Sequence, residues 1–110
     1  MSNLFNVSSI PLHINQYNYQ MNTNDTYLVV ETYSNINLPN TPNESKAVML
    51  MNASSHTIVV NSTNNANKIY NNLYAPEGTF SLNIDPYRIV YFIYTKNLTT
   101  QTGFWLTHLG

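Results

Sequence analysis

The side chains able to do acid–base work are few and scattered. The 5 carboxylates, Asp25, Glu31, Glu44, Glu77 and Asp85, fall in separate segments, with no i, i+3 or i, i+4 pair on a helix to set a general acid beside a general base. His13, His56 and His108 show neither HxH nor HxxxH spacing, so they supply no metal-ligand motif. The chain has no cysteine, which removes disulfides and thiolate metal sites, and its 3 glycines, Gly78, Gly103 and Gly110, make no phosphate-cradling loop. The expectation is a chain that is not an enzyme and uses no cofactor or metal. An enzymatic reading requires two carboxylates to meet in one pocket. The remaining chemistry is aromatic: 9 tyrosines and Trp105 sit among many amides, a combination that suits sugar rings and protein interfaces alike. Tyr70 and Tyr74 are the candidate glycan contacts, and packing of these rings on the domain's own edge is the alternative.

Composition narrows the partners. Charged residues make up 8% of the 110 residues while 43% are hydrophobic, and asparagine is the commonest residue. Solubility therefore rests on amides and hydroxyls. Such a surface loses little hydration or side-chain entropy when another protein covers it, so self-association is expected. The cations Lys46, Lys68, Arg88 and Lys96 are dispersed in a chain of net charge -1, which offers no stripe for a nucleic-acid backbone. The sequence shows no membrane span and no basic and apolar leader at its amino end, so no membrane partner is expected. Asn-x-Ser/Thr triplets begin at Asn6, Asn24, Asn43, Asn52, Asn61 and Asn97; in a chain this rich in Asn, Ser and Thr they arise by chance.

The elements that must position these residues are strands. Thr26–Tyr33, Asn35–Leu38, Lys46–Met51, Thr57–Val60, Lys68–Tyr70, Thr79–Ile84, Tyr87–Thr95 and Phe104–His108 are short, β-branched or aromatic, and separated by turn residues. Lys46–Met51 and Thr57–Val60 read as a hairpin, Asn71–Gly78 as a turn region. No stretch sustains a 3.6 period, so the expected fold is all-β, a small antiparallel sandwich or prism-like knob over residues 25–110. Residues 1–24 read as an extended arm or a flexible tail, with Leu12 and Ile14 able to add as an edge strand to a partner or to the domain's own sheet. Two strands are apolar on both faces. In Lys46–Met51, Val48 and Leu50 oppose Ala47, Met49 and Met51; in Tyr87–Tyr94, Ile89, Tyr91 and Ile93 oppose Val90, Phe92 and Tyr94. Either a neighbouring subunit covers the second face, or these are central strands beneath long loops.

The order of segments resembles a small β module found in fibre proteins of tailed bacteriophages. The likeness runs from Asp25-Thr-Tyr-Leu-Val-Val through Ile36-Asn-Leu-Pro39, Ala47-Val-Met-Leu-Met-Asn and Thr57-Ile-Val-Val-Asn61. It continues through Asn67-Lys-Ile-Tyr70, Phe80-Ser-Leu, Tyr87-Arg-Ile-Val-Tyr-Phe-Ile-Tyr94 and the closing Gly103-Phe-Trp-Leu106. The resemblance implies a parallel homotrimer that buries the second apolar face, with Met49, Met51, Val90, Phe92, Tyr94 and Trp105 at the trimer interface. Because no shaft of repeats or heptads precedes the module, it is most similar to a head fibre or capsid-decorating protein, as in crAss-like phages. That implies a virion structural protein on the capsid exterior, attached to a capsid protein through Leu4, Phe5, Ile10, Leu12, Ile14, Tyr17 and Tyr19. The alternative is a tail-fibre or receptor-binding tip that recognises host-surface carbohydrate.

Overall fold

Short alternating segments settle as strands where one parity of side chains finds a common core, and here they do so in two sheets. The computed structural model describes residues 10–43, 45–62, 67–71 and 75–109. In chain order its strands are β1 (Leu12–Ile14), β2 (Asn18–Gln20), β3 (Tyr27–Val30), β4 (Asn35–Asn37), β5 (Ala47–Asn52) and β6 (Ile58–Asn61). Then follow β7 (Lys68–Asn71), β8 (Ala75–Thr79), β9 (Ser81–Ile84), β10 (Ile89–Lys96) and β11 (Gly103–Leu109). No helix occurs among the described residues. One sheet has seven strands in the order β1-β3-β5-β10-β11-β7-β8, and the other four in the order β2-β4-β6-β9.

The all-β expectation holds, but the sheets are mixed rather than antiparallel. From β1 to β6 the chain alternates between the two sheets, so like-placed strands stack in parallel as successive coils. Leu12 pairs with Leu28 and Leu28 with Leu50 in one sheet, while Tyr19 pairs with Ile36 and Ile36 with Val60 in the other. Parallel neighbours cannot be joined by a tight turn; each crossover is therefore a strand of the opposite sheet. The expected hairpin of Lys46–Met51 with Thr57–Val60 is corrected for this reason, since β5 and β6 belong to different sheets. The coils also stack at their corners. Ser34 Oγ donates to the Gln16 carbonyl at 2.7 Å, Glu31 N to Ile14 O at 2.9 Å and Ala53 N to Val30 O at 2.8 Å. The rings of Tyr17, Tyr33 and His56 follow one another along these corners at 5.4 and 6.5 Å.

Residues expected in an arm are part of this stack. β1 and β2 form the first coil, and Ile14 and Met21 are each only 2% exposed. The turn region expected over residues 71–78 likewise contains most of β8, which pairs antiparallel with β7 across an irregular register.

Between the sheets lies one core. The seven-stranded sheet contributes Ile14, Leu28, Val30, Val48, Leu50, Ile69, Val90, Phe92, Tyr94 and Trp105; the four-stranded sheet contributes Ile36, Ile58, Val60, Leu82 and Ile84. Each fully buried large side chain contributes roughly 1.5–3 kcal/mol relative to exposure. Gly103 is required by this core, because a Cβ there would overlap the Tyr94 hydroxyl. Tyr94 in turn packs its ring on Trp105 at 5.3 Å.

A buried amide ties the halves together. Asn52 ends β5 with no exposed surface, and its Nδ2 donates to the carbonyls of His56 at 2.8 Å and of Ile84 and Asp85 at 3.1 Å. Its Oδ1 accepts from Ser54 N at 3.0 Å and Ser54 Oγ at 2.7 Å. The backbone of the same residue donates to Arg88 O and accepts from Tyr87 N. Removing the amide takes a donor from one buried and two part-buried carbonyls and an acceptor from Ser54, so Asn52→Ala is expected to lower stability by about 2–4 kcal/mol in urea unfolding. Asn83→Ala, on the exposed side of β9, is expected to cost under about 0.5 kcal/mol.

Candidate functional site

The strand register divides the apolar residues into an inner and an outer set. Because Val90 pairs with Leu50 and Phe92 with Val48, while Ile89 pairs with Met51 and Tyr91 with Met49, the methionines share a face with the odd-numbered residues of β10. That face points away from the four-stranded sheet. Across it run Tyr27, Met49, Tyr91 and His108, then Val29, Met51 and Ile89, then Ala47, Ile93, Leu106 and Tyr70, as opposed neighbours on adjacent strands. Leu106 is 47% exposed, Ala47 is buried, and the other apolar members are partly exposed. Neighbouring strands are about 4.8 Å apart, so these side chains form one continuous apolar surface over five strands.

This placement corrects the expected trimer interface. Met49 and Met51 are on the outer face, but Val90, Phe92 and Trp105 have no exposed surface and Tyr94 is 6% exposed within a single chain. They fill the sandwich and are not available to a neighbour. The sequence reading missed Tyr27, Val29, Ile89, Tyr91, Ile93, Phe104 and Leu106 as the surface set. One signal pointed to part of it: His108 shares its parity with Phe104 and Leu106, so that side of β11 faces water and Trp105 faces inward.

The opposite outer face has different chemistry. The outward positions of the four-stranded sheet are Asn18, Gln20, Asn35, Asn37, Val59, Asn61, Ser81 and Asn83. Gln20, Asn37, Asn61 and Ser81 fall in one cross-strand row. Asn61 Nδ2 donates to Asn37 Oδ1 at 3.3 Å, and Ser81 Oγ donates to Asn61 Oδ1 at 2.6 Å. This amide ladder explains how a sheet face stays hydrated with almost no charge.

The residues expected to attach to a capsid separate by parity and position. Ile10 is 90% exposed, Tyr17 62% and Leu12 39%, whereas Ile14 lies in the core because β1 pairs with β3 and turns it inward. Tyr19 is partly buried and donates from its hydroxyl to Asp25 Oδ2 at 2.7 Å. Leu4, Phe5 and Tyr74 lie outside the described residues, as does Glu44. Tyr70 is on β7 beside Phe104, ring centroids 5.5 Å apart and nearly perpendicular.

Two further titratable groups, Glu31 and Lys46, are engaged locally. Glu31 accepts from Asn15 Nδ2 at 3.0 Å and lies 3.0 Å from His13 Nδ1; the hydrogen bonds from His13 and then Asn15 hold its carboxyl below the usual range. Burial lowers the Lys46 ammonium, which donates to Thr23 O at 2.6 Å, and the Asp25 charge opposes that shift. Among the described residues no group of three or more His, Asp or Glu is placed to hold a metal ion.

No family model matches the sequence, and a search of curated proteins finds no match. Among solved structures, the chain is similar to one described as "Structure of a chaperone-substrate complex", at 15% identity and a TM-score of 0.48. The match covers 86% of this chain and 14% of that one. A likeness at this level carries no argument about fold or function.

Tyr19 provides a test of the first coil's packing. Burial first, and then the hydrogen bond and charge of Asp25, push its phenol from 10.0 up to about 12. A raised folded value stabilises the fold fully below pH 10 and is lost as pH rises through about 12. Ultraviolet titration of the tyrosines is expected to show a late-titrating phenol that moves down in Asp25→Asn.

Proposed function

We propose that this chain is a non-enzymatic structural protein of a virion, a homotrimeric β module of the head-fibre or capsid-decoration kind. The observation that carries the reading is the apolar outer face of the seven-stranded sheet. A sheet face covered with Tyr, Met, Val, Ile and Leu across adjacent strands is the composition of an interface core, where charged residues are depleted and aromatics and Met enriched. Three such faces turned toward a common axis form a closed assembly that leaves the amide face outside. Small size without disulfides favours the same solution, because oligomerisation adds the core that one copy lacks. Attachment to a capsid protein would use the exposed edge of the first coil, where Ile10, Leu12 and Tyr17 are available and β1 is an edge strand among the described residues.

A second reading, recognition of surface carbohydrate by a fibre tip, is favoured by the position of Tyr70 beside Phe104 in a concave part of the β7 and β11 surface.

The assembly reading predicts a trimer in sedimentation velocity at micromolar concentration. Met49→Glu combined with Ile93→Lys is expected to give a folded monomer, judged by unchanged far-ultraviolet circular dichroism. A wild-type monomer at that concentration contradicts the reading.

A further inference from the structure

The carbohydrate reading leaves open what kind of saccharide would bind, and the concavity on β7 and β11 answers that. Among the described residues it is lined by Lys68, Tyr70, Asn97, Thr100, Thr102, Gly103, Phe104 and Leu106, and its volume is about 620 Å³. That is within the roughly 300–1,000 Å³ of small-ligand sites. Its floor is the Tyr70 and Phe104 rings with Leu106; its rim is the β10–β11 loop with Lys68 on the far side.

Three features hold the walls in place. The loop is closed by Asn97 N donating to Thr102 O at 2.9 Å and Gln101 N donating to Asn97 O at 2.8 Å. Asn97 Oδ1 accepts from Thr99 N at 2.9 Å and Thr100 N at 3.0 Å, and Thr100 Oγ1 accepts from Thr102 N at 3.3 Å. On the other side, Gly78 has φ 90° and lets Tyr70 and Lys68 pack against the β8 backbone; a Cβ there would lie 2.9 Å from Lys68 Cδ and from Tyr70 Cε1. A surface ordered before binding loses little entropy on binding.

The chemistry of the walls selects the ligand. β7 is paired on both sides, with β11 and with β8, so no edge is open for a peptide to add as a strand. Recognition has to go through side chains: a ring or C–H face against Tyr70 and Phe104, and acceptors against the rim. Once the loop's own bonds are made, the groups left are Asn97 Nδ2 and the Lys68 ammonium, which can only donate, and the Thr100 and Thr102 hydroxyls, which can donate or accept. No carboxylate lines the concavity, and no ion pair involves Lys68 among the described residues. In a chain with 4 cations, one of them faces this aromatic floor.

We infer that this concavity is a binding site for an acidic saccharide, a sugar whose C–H face stacks on the Tyr70 ring against the Phe104 ring beside it and whose carboxylate pairs with Lys68. The inference rests on the carbohydrate reading, and it requires that the β7 end of the apolar face, with Tyr70 and Leu106, stay open when copies pack through Tyr27, Val29, Met49, Met51, Ile89 and Tyr91. Its test is binding of the full chain to an array of neutral, uronate-bearing and sialate-bearing oligosaccharides, followed by calorimetry on the best acidic binder and its methyl ester. The acidic form is expected to bind at least about tenfold more tightly than the ester, and added salt to narrow that gap. Lys68→Gln, a surface change, is expected to abolish the difference; Tyr70→Ala is expected to weaken both forms by about tenfold or more. Binding of neutral sugars as tight as of acidic ones overturns the inference and leaves the carbohydrate reading standing. Absence of binding to every saccharide overturns both, and full binding retained in Lys68→Gln and Tyr70→Ala also overturns the inference.

Discussion

The pairing of β5 with β10 is the contact on which the rest of the molecule depends. β5 is the last of the parallel coil strands in its sheet, and β10, antiparallel to both β5 and β11, is the first strand of the half that continues it. A slip of one residue between them would turn one strand's inner residues outward, setting Leu50 and Val48 against the wrong face of β10. Asn52 pins the register at one end. Its backbone holds Tyr87 and Arg88, and its side chain holds the carbonyls that end β9, so both sheets are fixed to the same residue. This also removes Asn52 from use as a glycan acceptor, since the amide is wholly enclosed.

With that register fixed, the two outer faces acquire opposite characters. The seven-stranded sheet carries Tyr27, Val29, Met49, Met51, Ile89, Tyr91 and Ile93 outward, and the four-stranded sheet carries amides and hydroxyls. The amide face bonds to itself along the Gln20 to Ser81 row and stays wet without charge. The apolar face has no such internal solution. An asymmetric module of this kind has one surface that gains by burial and one that does not, which fixes how copies would be oriented.

Much of the strand content was legible in the sequence, because β10, β5 and β11 are strongly alternating or continuously apolar. The two-faced character of β5 and β10 was legible too. Which face is inner was not, since it depends on pairing between segments far apart in the chain. Arg88 and Lys96 even point the wrong way: they share parity with Val90, Phe92 and Tyr94, but at the strand ends they lie beyond the packed core. The coil path was also hidden. Two apolar runs separated by five turn-rich residues, as at Asn52 to His56, fit a hairpin and an inter-sheet corner equally well, and only the buried Asn52 and Ser54 bonds distinguish them. Ile14 was placed in an arm for a similar reason. A three-residue strand has too short a pattern to show its own sheet partner.

The most direct measurement of the assembly claim is methionine oxidation footprinting across a dilution series, with the buried Met21 as internal reference. Met49 and Met51 should be protected at high concentration and become reactive on dilution, while Met21 stays protected throughout. Equal reactivity of Met49 and Met51 at every concentration would contradict burial of this face between copies.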